Sequence, residues 1–187
     1  MKAVALFLLL VALPAWADES VSVCYNYGCA SEQTVNFSQR QLEEVHQLLA
    51  AATTAAAERS ALALAVGRLY AWAGQQSPIW RDRGGNVADG GVPGRMDCID
   101  HSTTTTRFLR LLERRGWLRF HRVLAPLSRP YLLIARHWSA QIEETGGGLT
   151  PATTPRRFAV DSWFVDNGRP ALVLPLQEWS SGGGPNV

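Results

Sequence analysis

The chain has 187 residues, but only three cysteines and, at Lys2, a single lysine. Arginine therefore carries almost all of the positive charge, and acidic residues nearly balance it, which leaves a formal net charge of +2. A nearly neutral chain is not typical of proteins that bind nucleic acid through its phosphates. Beyond the N-terminus no apolar run is long enough for a membrane helix, and no internal repeat is present. These absences argue against a nucleic-acid-binding protein, an integral membrane protein and a repeat protein.

Residues 1–17 have the pattern of a secretory signal peptide. Lys2 supplies a positive start, residues 3–13 form an apolar run, and residues 15–17, Ala-Trp-Ala, form a small-x-small cleavage site. The apolar run is too short for a permanent anchor, although an uncleaved anchor is the alternative. We therefore expect a periplasmic or secreted protein without a membrane anchor after cleavage. Its remaining length is about that of one ordinary domain.

Export changes how the cysteines are interpreted, because disulfides persist outside the cytoplasm. Cys24 and Cys29 are separated by turn-forming residues, so the chain can fold back and join them. This pairing predicts a small disulfide within an N-terminal segment, residues 18–36, and leaves Cys98 as a single thiol. A bond between Cys98 and one of the other two cysteines is the alternative.

Hydrophobic periodicity predicts helices in the first half of the chain and strands in the second. The predicted helices begin at Ser38, Thr54 and Asp97, and the last two end at Gly74 and Gly116. The predicted strands cover residues 117–124, 131–142, 158–164 and 171–174, and residues 75–94 form a long irregular segment. Helices followed by an antiparallel sheet indicate a single α+β domain over residues 37–179, with residues 180–187 as a disordered tail.

Cys98 falls at the first residue of the third predicted helix, directly after Asp97 as the N-cap. A thiol there faces free backbone N–H groups and the positive end of the helix dipole, and both stabilise a thiolate. The same N–H groups can hold a developing oxyanion. Asp97 and Asp100 oppose a thiolate by their charge, so a positive partner is required. This position is typical of a catalytic nucleophile.

Histidine is the expected partner of such a thiol, provided that a third group orients it. His137 lies on a predicted strand, on the face opposite to the apolar residues of that strand. Asp161 lies on the next strand among apolar neighbours, where an unpaired carboxylate would be costly. We therefore predict that Asp161 orients His137. A buried pair that only stabilises the sheet is the alternative.

The other histidines are weaker candidates for the base. His46 and His121 are expected on the protein surface. His101 is an alternative candidate for the base, because it follows Cys98 by three residues on the same helix, which allows their side chains to lie close together. No orienting carboxylate can be named for it from the sequence, and we therefore prefer His137.

The order cysteine, histidine, aspartate resembles that of the papain-like and transglutaminase-like superfamily, most closely the bacterial transglutaminase-like cysteine proteinases. Their nucleophile motif, Gly-Asp-Cys-Glu-Asp, is similar to residues 96–100, Met-Asp-Cys-Ile-Asp. Their histidine strand is similar to residues 136–138, Arg-His-Trp, and their aspartate strand is similar to residues 160–161, Val-Asp, with Asp-Asn following at 166–167. The resemblance covers about residues 72–179.

This resemblance implies a papain-like fold with the nucleophile at a helix N-terminus packed on an antiparallel sheet. It implies attack of a thiolate on an amide carbonyl through an acyl-enzyme, followed by hydrolysis or by transfer to an amine. It implies no cofactor and a peptide or protein substrate, with cell-wall peptide as one possibility, and we expect a monomer. The catalytic residues it implies are Cys98, His137 and Asp161, with Asp166 as the alternative aspartate.

Related thiol enzymes place an oxyanion donor or cleft wall upstream of the cysteine, and Trp80 and Gln76 are the candidates for that role here. The chain departs from the family motif at Met96, which replaces a glycine, at Ile99, which replaces an acidic residue, and at His101, which replaces an aromatic residue. These departures affect the identity of the substrate more than the triad.

Two other functions compete with a thiol hydrolase. A zinc-dependent hydrolase would use ligands close together in sequence plus a distant one. A non-catalytic, exported binding or assembly module would instead contain Cys98 as an inert, buried residue. The candidate zinc ligands are Asp97, Cys98, Asp100, His101 and His137.

Overall fold

The computed structural model describes residues 18–85, 87–131, 135–145 and 155–185. The predicted signal peptide and the last two residues of the predicted tail lie outside this part of the chain. The helices are α1 (Gln39–Ala50), α2 (Ala55–Gly74), α3 (Cys98–Arg114) and α4 (Leu176–Ser180), with a short 3-10 helix at Pro78–Arg81. The strands are β1 (Glu19–Tyr25), β2 (Ser31–Phe37), β3 (His121–Tyr131), β4 (Ala135–Glu144), β5 (Arg157–Asp161) and β6 (Leu172–Pro175).

The described elements form an α+β structure with two antiparallel sheets, which confirms the predicted class. The larger sheet has the order β3-β4-β5-β6, and the smaller one is the hairpin β1-β2. Within the described residues, none of the helices combines the length and apolar character that a membrane crossing requires.

The hairpin β1-β2 was not predicted, so the expectation that helices come first in the chain is wrong. Val21 and Val23 are buried on one face of β1, and Cys24 pairs with Glu32 across the hairpin. The alternation of polar and apolar residues in this segment is the ordinary signal of a half-buried strand. The cysteine spacing predicted only a disulfide for residues 18–36, and the two strands were therefore not expected.

The helices α1, α2 and α3 begin directly after the capping residues predicted from the sequence. Ser38 and Gln41 form a complete capping box at the start of α1, and Thr54 caps α2. At α3 the Asp97 side chain accepts hydrogen bonds from the backbone N–H groups of Ile99 and Asp100. The Asp100 side chain in turn accepts one from the Asp97 backbone. This second capping box fixes Cys98 as the first residue of α3.

The strand boundaries differ from the predicted ones. The strand expected from residue 117 begins only at His121, because Glu58 of α2 accepts the backbone N–H groups of Arg119 and Phe120. Those two groups are thus used by a helix side chain and not by a strand partner. The strand predicted over residues 131–142 corresponds to β4, which covers Ala135–Glu144. The strand predicted over residues 158–164 corresponds to β5, which ends at Asp161.

Both faces of β4 are buried around the middle of the strand, whereas the sequence pattern predicted one polar face. Ser139 and Gln141 are buried on the His137 face, and Ala140 and Ile142 are buried on the other. Helix α3 packs against β4. Aromatic rings from the segment after β5 and from α4 lie against His137. His137 is therefore in the interior, where its polar atoms need hydrogen-bond partners.

Candidate active site

Cys98 lies where the N-terminus of α3 meets β4. Its Sγ is 3.7 Å from the backbone carbonyl oxygen of Arg136, and the backbone N–H of Trp138 lowers the pKa of the thiol. These two backbone groups flank His137, so the thiol sits at the position of His137 along the strand. The thiol is only partly buried and takes no part in a disulfide. A reagent or substrate can therefore approach it from solvent.

The environment of Cys98 acts on its pKa in both directions. Burial raises the pKa of the thiol, and the negative charges of Asp97 and Asp161 raise it further. The backbone N–H groups of Trp138 and of Cys98 itself lower the pKa, but they do not reverse the shift. A thiolate at Cys98 therefore requires a nearby positive charge or a base that removes the proton during attack.

His137 is held by Asp161. Its Nε2 is 2.7 Å from Oδ2 of Asp161, and both side chains are almost completely buried. The other carboxylate oxygen, Oδ1, accepts the backbone N–H of Trp163 at 3.2 Å. Because Asp161 occupies Nε2, the nitrogen that can exchange a proton with a thiol is Nδ1.

His101 points away from Cys98 into a separate buried network. Its Nε2 is 2.9 Å from Oδ2 of Asp82, and its Nδ1 is 2.9 Å from Oγ of Ser162. Asp82 also accepts the backbone N–H of Met96 at 2.9 Å. This network connects the segment before α3 with the residue after Asp161. The carboxylate partner of His101, which the sequence could not supply, is Asp82.

His121 is buried, so the expectation that it lies on the surface is wrong. Its Nδ1 is 2.8 Å from Oε1 of Glu58, and both side chains are fully buried. The hydrogen bond to this carboxylate of α2 allows His121 to be buried without an unsatisfied polar atom. His46 is partly exposed and stacks on Trp117 with ring centroids 5.0 Å apart. Histidine–carboxylate pairs consequently occur at three buried positions, and only one of them adjoins Cys98.

The remaining predicted site residues, Asp166, Gln76 and Trp80, contact other parts of the chain. Asp166 is exposed, accepts the backbone N–H of Gly84 at 3.0 Å and pairs with Arg83 at 3.1 Å. The Gln76 side chain bonds to the backbone N–H and carbonyl of Asn36 on β2. Trp80 is 61% exposed, and the guanidinium of Arg81 lies 5.0 Å from its ring.

The candidate zinc ligands are divided between different hydrogen-bond groups. His101 binds Asp82 and Ser162, while Asp100 accepts the backbone N–H groups of Tyr27 and Cys29. Within the described residues, the single group of three possible ligand atoms that lie close together is formed by Cys24, Cys29 and Glu32. Its two sulfurs are joined as a disulfide with an S–S distance of 2.09 Å, which confirms the predicted pairing.

The disulfide loop contacts the start of α3. The backbone N–H groups of Tyr27 and Cys29 donate to the Asp100 carboxylate at 2.8 and 2.5 Å. Burial raises the pKa of Asp100 to about 6, and the charge of Asp97 adds to the shift. The sequence indicated Asp100 as an acidic residue of the first turn, but not that a loop 71 residues away would hold it.

Comparisons of this chain with protein-family models, with curated proteins and with solved structures each found no match. The function of the site therefore rests on the chemistry of its own residues.

Proposed function

We propose that the protein is an exported thiol hydrolase or acyltransferase of papain-like and transglutaminase-like type, acting on amide bonds of a peptide or protein. One observation carries the proposal. A partly exposed cysteine begins a helix and contacts the backbone carbonyl of Arg136, the residue before His137, and His137 is hydrogen-bonded to a buried aspartate. This combination supplies a nucleophile, a base and an orienting group in one place.

The roles follow from the hydrogen bonds. Asp161 accepts a hydrogen bond from the Nε2–H of His137, so Nδ1 is the atom that takes the proton of Cys98. The sulfur then attacks the amide carbonyl, and the resulting oxyanion forms near the backbone N–H of Cys98 at the helix N-terminus. The imidazolium returns the proton to the leaving amine, and a thioester remains on Cys98. Water releases an acid from that thioester, whereas an amine releases a new amide.

The cellular location belongs to the same proposal. The disulfide between Cys24 and Cys29 is stable in oxidising compartments, and this is consistent with export directed by residues 1–17. We therefore place the enzyme in the periplasm or outside the cell, where exported proteins and the peptides of the cell wall are both accessible amide substrates.

The test uses the fact that Cys98 is the single thiol of the chain. Treatment with p-nitrophenyl acetate should give a burst of p-nitrophenolate, and peptide mass mapping should find one acetyl group on Cys98. Addition of methylamine then distinguishes transfer from hydrolysis, because transfer yields N-methylacetamide.

Two variants serve as controls for this acylation. Cys98→Ser should lose the burst, and His137→Ala should lower its rate strongly, while the melting temperature of each reports whether it is folded. A folded parent protein that is not acetylated at Cys98 would contradict the proposal and favour a binding module with an inert cysteine.

A further inference from the structure

A tryptophan distant from Cys98 in sequence contacts the aspartate of the candidate triad. Trp179 of α4 is fully buried, and its indole Nε1 donates to Oδ2 of Asp161 at 2.7 Å. The same oxygen lies 2.7 Å from Nε2 of His137. The indole ring is also close to the imidazole, with ring centroids 5.7 Å apart.

This donor completes the set of hydrogen bonds that fixes the carboxylate. Oδ2 receives bonds from His137 and Trp179, and Oδ1 receives the backbone N–H of Trp163. With both oxygens held, the carboxylate cannot rotate without breaking a bond in a buried site. A carboxylate held in this way keeps its Oδ2 directed at the imidazole, which is what an orienting aspartate must do.

Arg129 holds Trp179 in place. It lies on β3 opposite His137, is buried, and donates from Nη1 to the backbone carbonyls of Trp179 and Gly183. Its guanidinium lies 4.7 Å from the centroid of the Trp179 ring. Because α4 has only five residues, these contacts, and not the helix itself, determine where the indole points.

We propose that Trp179 is a positioning residue for Cys98 chemistry, acting through Asp161 on His137, and that Arg129 orders the C-terminal segment for this role. The inference rests on the proposed function. It means that residues 176–183, although late in the chain and outside every motif, form part of the active site.

Trp179→Phe tests the inference, because it keeps an aromatic ring and removes the indole N–H. The measured quantity is the second-order rate of Cys98 alkylation by iodoacetamide across pH, with thermal unfolding alongside. We expect the rate at neutral pH to fall about tenfold, the factor expected from loss of one hydrogen bond to a charged group. Trp117→Phe is the matched control, since Trp117 is also buried but packs beside His46, and Cys98 of this variant should be alkylated as in the parent.

A double-variant cycle separates positioning from general loosening of the fold. In an Asp161→Asn background, Trp179→Phe should change the rate by less than about twofold, because the carboxylate through which it acts is absent. An equal fall in both backgrounds, or a folded Trp179→Phe protein that alkylates like the parent, would overturn the inference.

Two further measurements cover a Trp179→Phe variant that does not fold and separate failure of the inference from failure of the proposed function. If Trp179→Phe does not fold, the assigned indole N–H resonance of Trp179 is compared between the parent and Asp161→Asn. We expect an upfield shift in the variant, and an unchanged resonance overturns the inference. If His137→Ala alkylates like the parent, the proposed function fails as well. If only the Trp179 variant behaves like the parent, the inference alone fails.

Discussion

At the scale of single residues, the molecule uses histidine–carboxylate pairs for more than one purpose. The distances in His101 with Asp82 and His121 with Glu58, 2.9 and 2.8 Å, are similar to the 2.7 Å of the pair at Asp161, and all three pairs are buried. A buried polar pair of this kind can serve stability alone, because each member satisfies the other. What sets His137 apart is the thiol beside it. The functional assignment therefore depends on Cys98 and not on the pairing.

Replacing the two candidate bases separately should distinguish these roles. His137→Ala should slow Cys98 alkylation at neutral pH by about a hundredfold, the lower end of what acid–base assistance contributes. Its remaining reactivity should rise only at alkaline pH, since burial keeps the pKa of the thiol above its ordinary value. The measurement is the rate of iodoacetamide labelling from pH 5 to 10.

His101→Ala is the matched comparison and should give the opposite result. Labelling should change little, but stability to urea should fall by about 3 kcal/mol, because Asp82 is left as a buried charge without its partner. Slow labelling of Cys98 in a stable His101→Ala protein would show that His101 is the base and that His137 has the structural role.

Asp100 should make stability depend on pH. Its pKa is raised to about 6 by burial and by Asp97, which is above that of an unfolded aspartate. Between these values the folded state binds more protons than the unfolded state, so the stabilising contribution is complete at low pH and is lost as pH rises through 6. The stability of Asp100→Asn relative to the parent, measured by urea unfolding, should therefore increase by roughly 2 kcal/mol between pH 4 and pH 7.

Asp166→Asn provides the control for this pH effect. The backbone N–H of Gly84 and the nearby Arg83 lower the pKa of the exposed Asp166. The stability of Asp166→Asn relative to the parent should therefore decrease slightly as the pH rises, which is opposite to the change expected for Asp100→Asn. A difference between parent and Asp100→Asn that stays constant with pH would show that Asp100 ionises normally.

At the scale of elements, the disulfide loop supports the start of α3. Asn26, Tyr27 and Cys29 all have positive φ, a conformation that costs energy in residues other than glycine. The loop keeps this conformation while its N–H groups bind Asp100 and the Asn26 side chain accepts the backbone N–H of Gly94. The covalent bond between Cys24 and Cys29 closes the loop.

Removing that bond should destabilise the loop and the protein. Cys24→Ser with Cys29→Ser should lower the free energy of unfolding by about 2 kcal/mol, as expected for a short closed loop. Hydrogen exchange of the Tyr27 and residue-29 amides should become faster, because a freed loop leaves its positive-φ conformation. Reduction of the parent protein should give the same loss of stability. An unchanged urea midpoint in both cases would show that the loop is held by its hydrogen bonds alone.

At the scale of the whole molecule, the arginine-rich region of α3 and β3 is largely neutralised. Glutamates from several elements pair with it, and all of them except Glu113 are far away in sequence from the arginine that they contact. The pairs are Arg107 with Glu32, Arg110 with Glu113, Arg115 with Glu19, and Arg122 with Glu143. This distribution agrees with the small net charge and disfavours a nucleic-acid surface.

Binding to nucleic acid should consequently be very weak. A fluorescent 20-base-pair duplex should show a Kd no tighter than about 10⁻⁴ M at physiological salt, the weak end of non-specific binding. Fluorescence anisotropy measures it directly. A micromolar Kd with a steep dependence on salt would mean that the arginines act together as a phosphate-binding surface.

The sequence by itself determined the local features of this protein. The capping boxes at Ser38 and Asp97 place the helix starts, because every hydrogen bond involved spans only a few residues. The position of Cys98 at a helix N-terminus and the disulfide of Cys24 and Cys29 are local in the same sense. The α+β class follows from periodicity, and so does the first hairpin, although that signal was overlooked; the strand ends do not follow from it.

Only the tertiary structure decided most of the contacts between side chains on different elements. His101 finds Asp82 at a separation of 19 residues, and Trp179 reaches Asp161 from a short helix after the last strand. Each pair joins different elements, so its formation depends on how the elements pack and on which groups are buried without water. No pattern within one segment contains that information. For this reason the sequence could place Cys98 as the candidate nucleophile and predict the pair of His137 and Asp161, while the contact of Trp179 with that pair had to come from the fold.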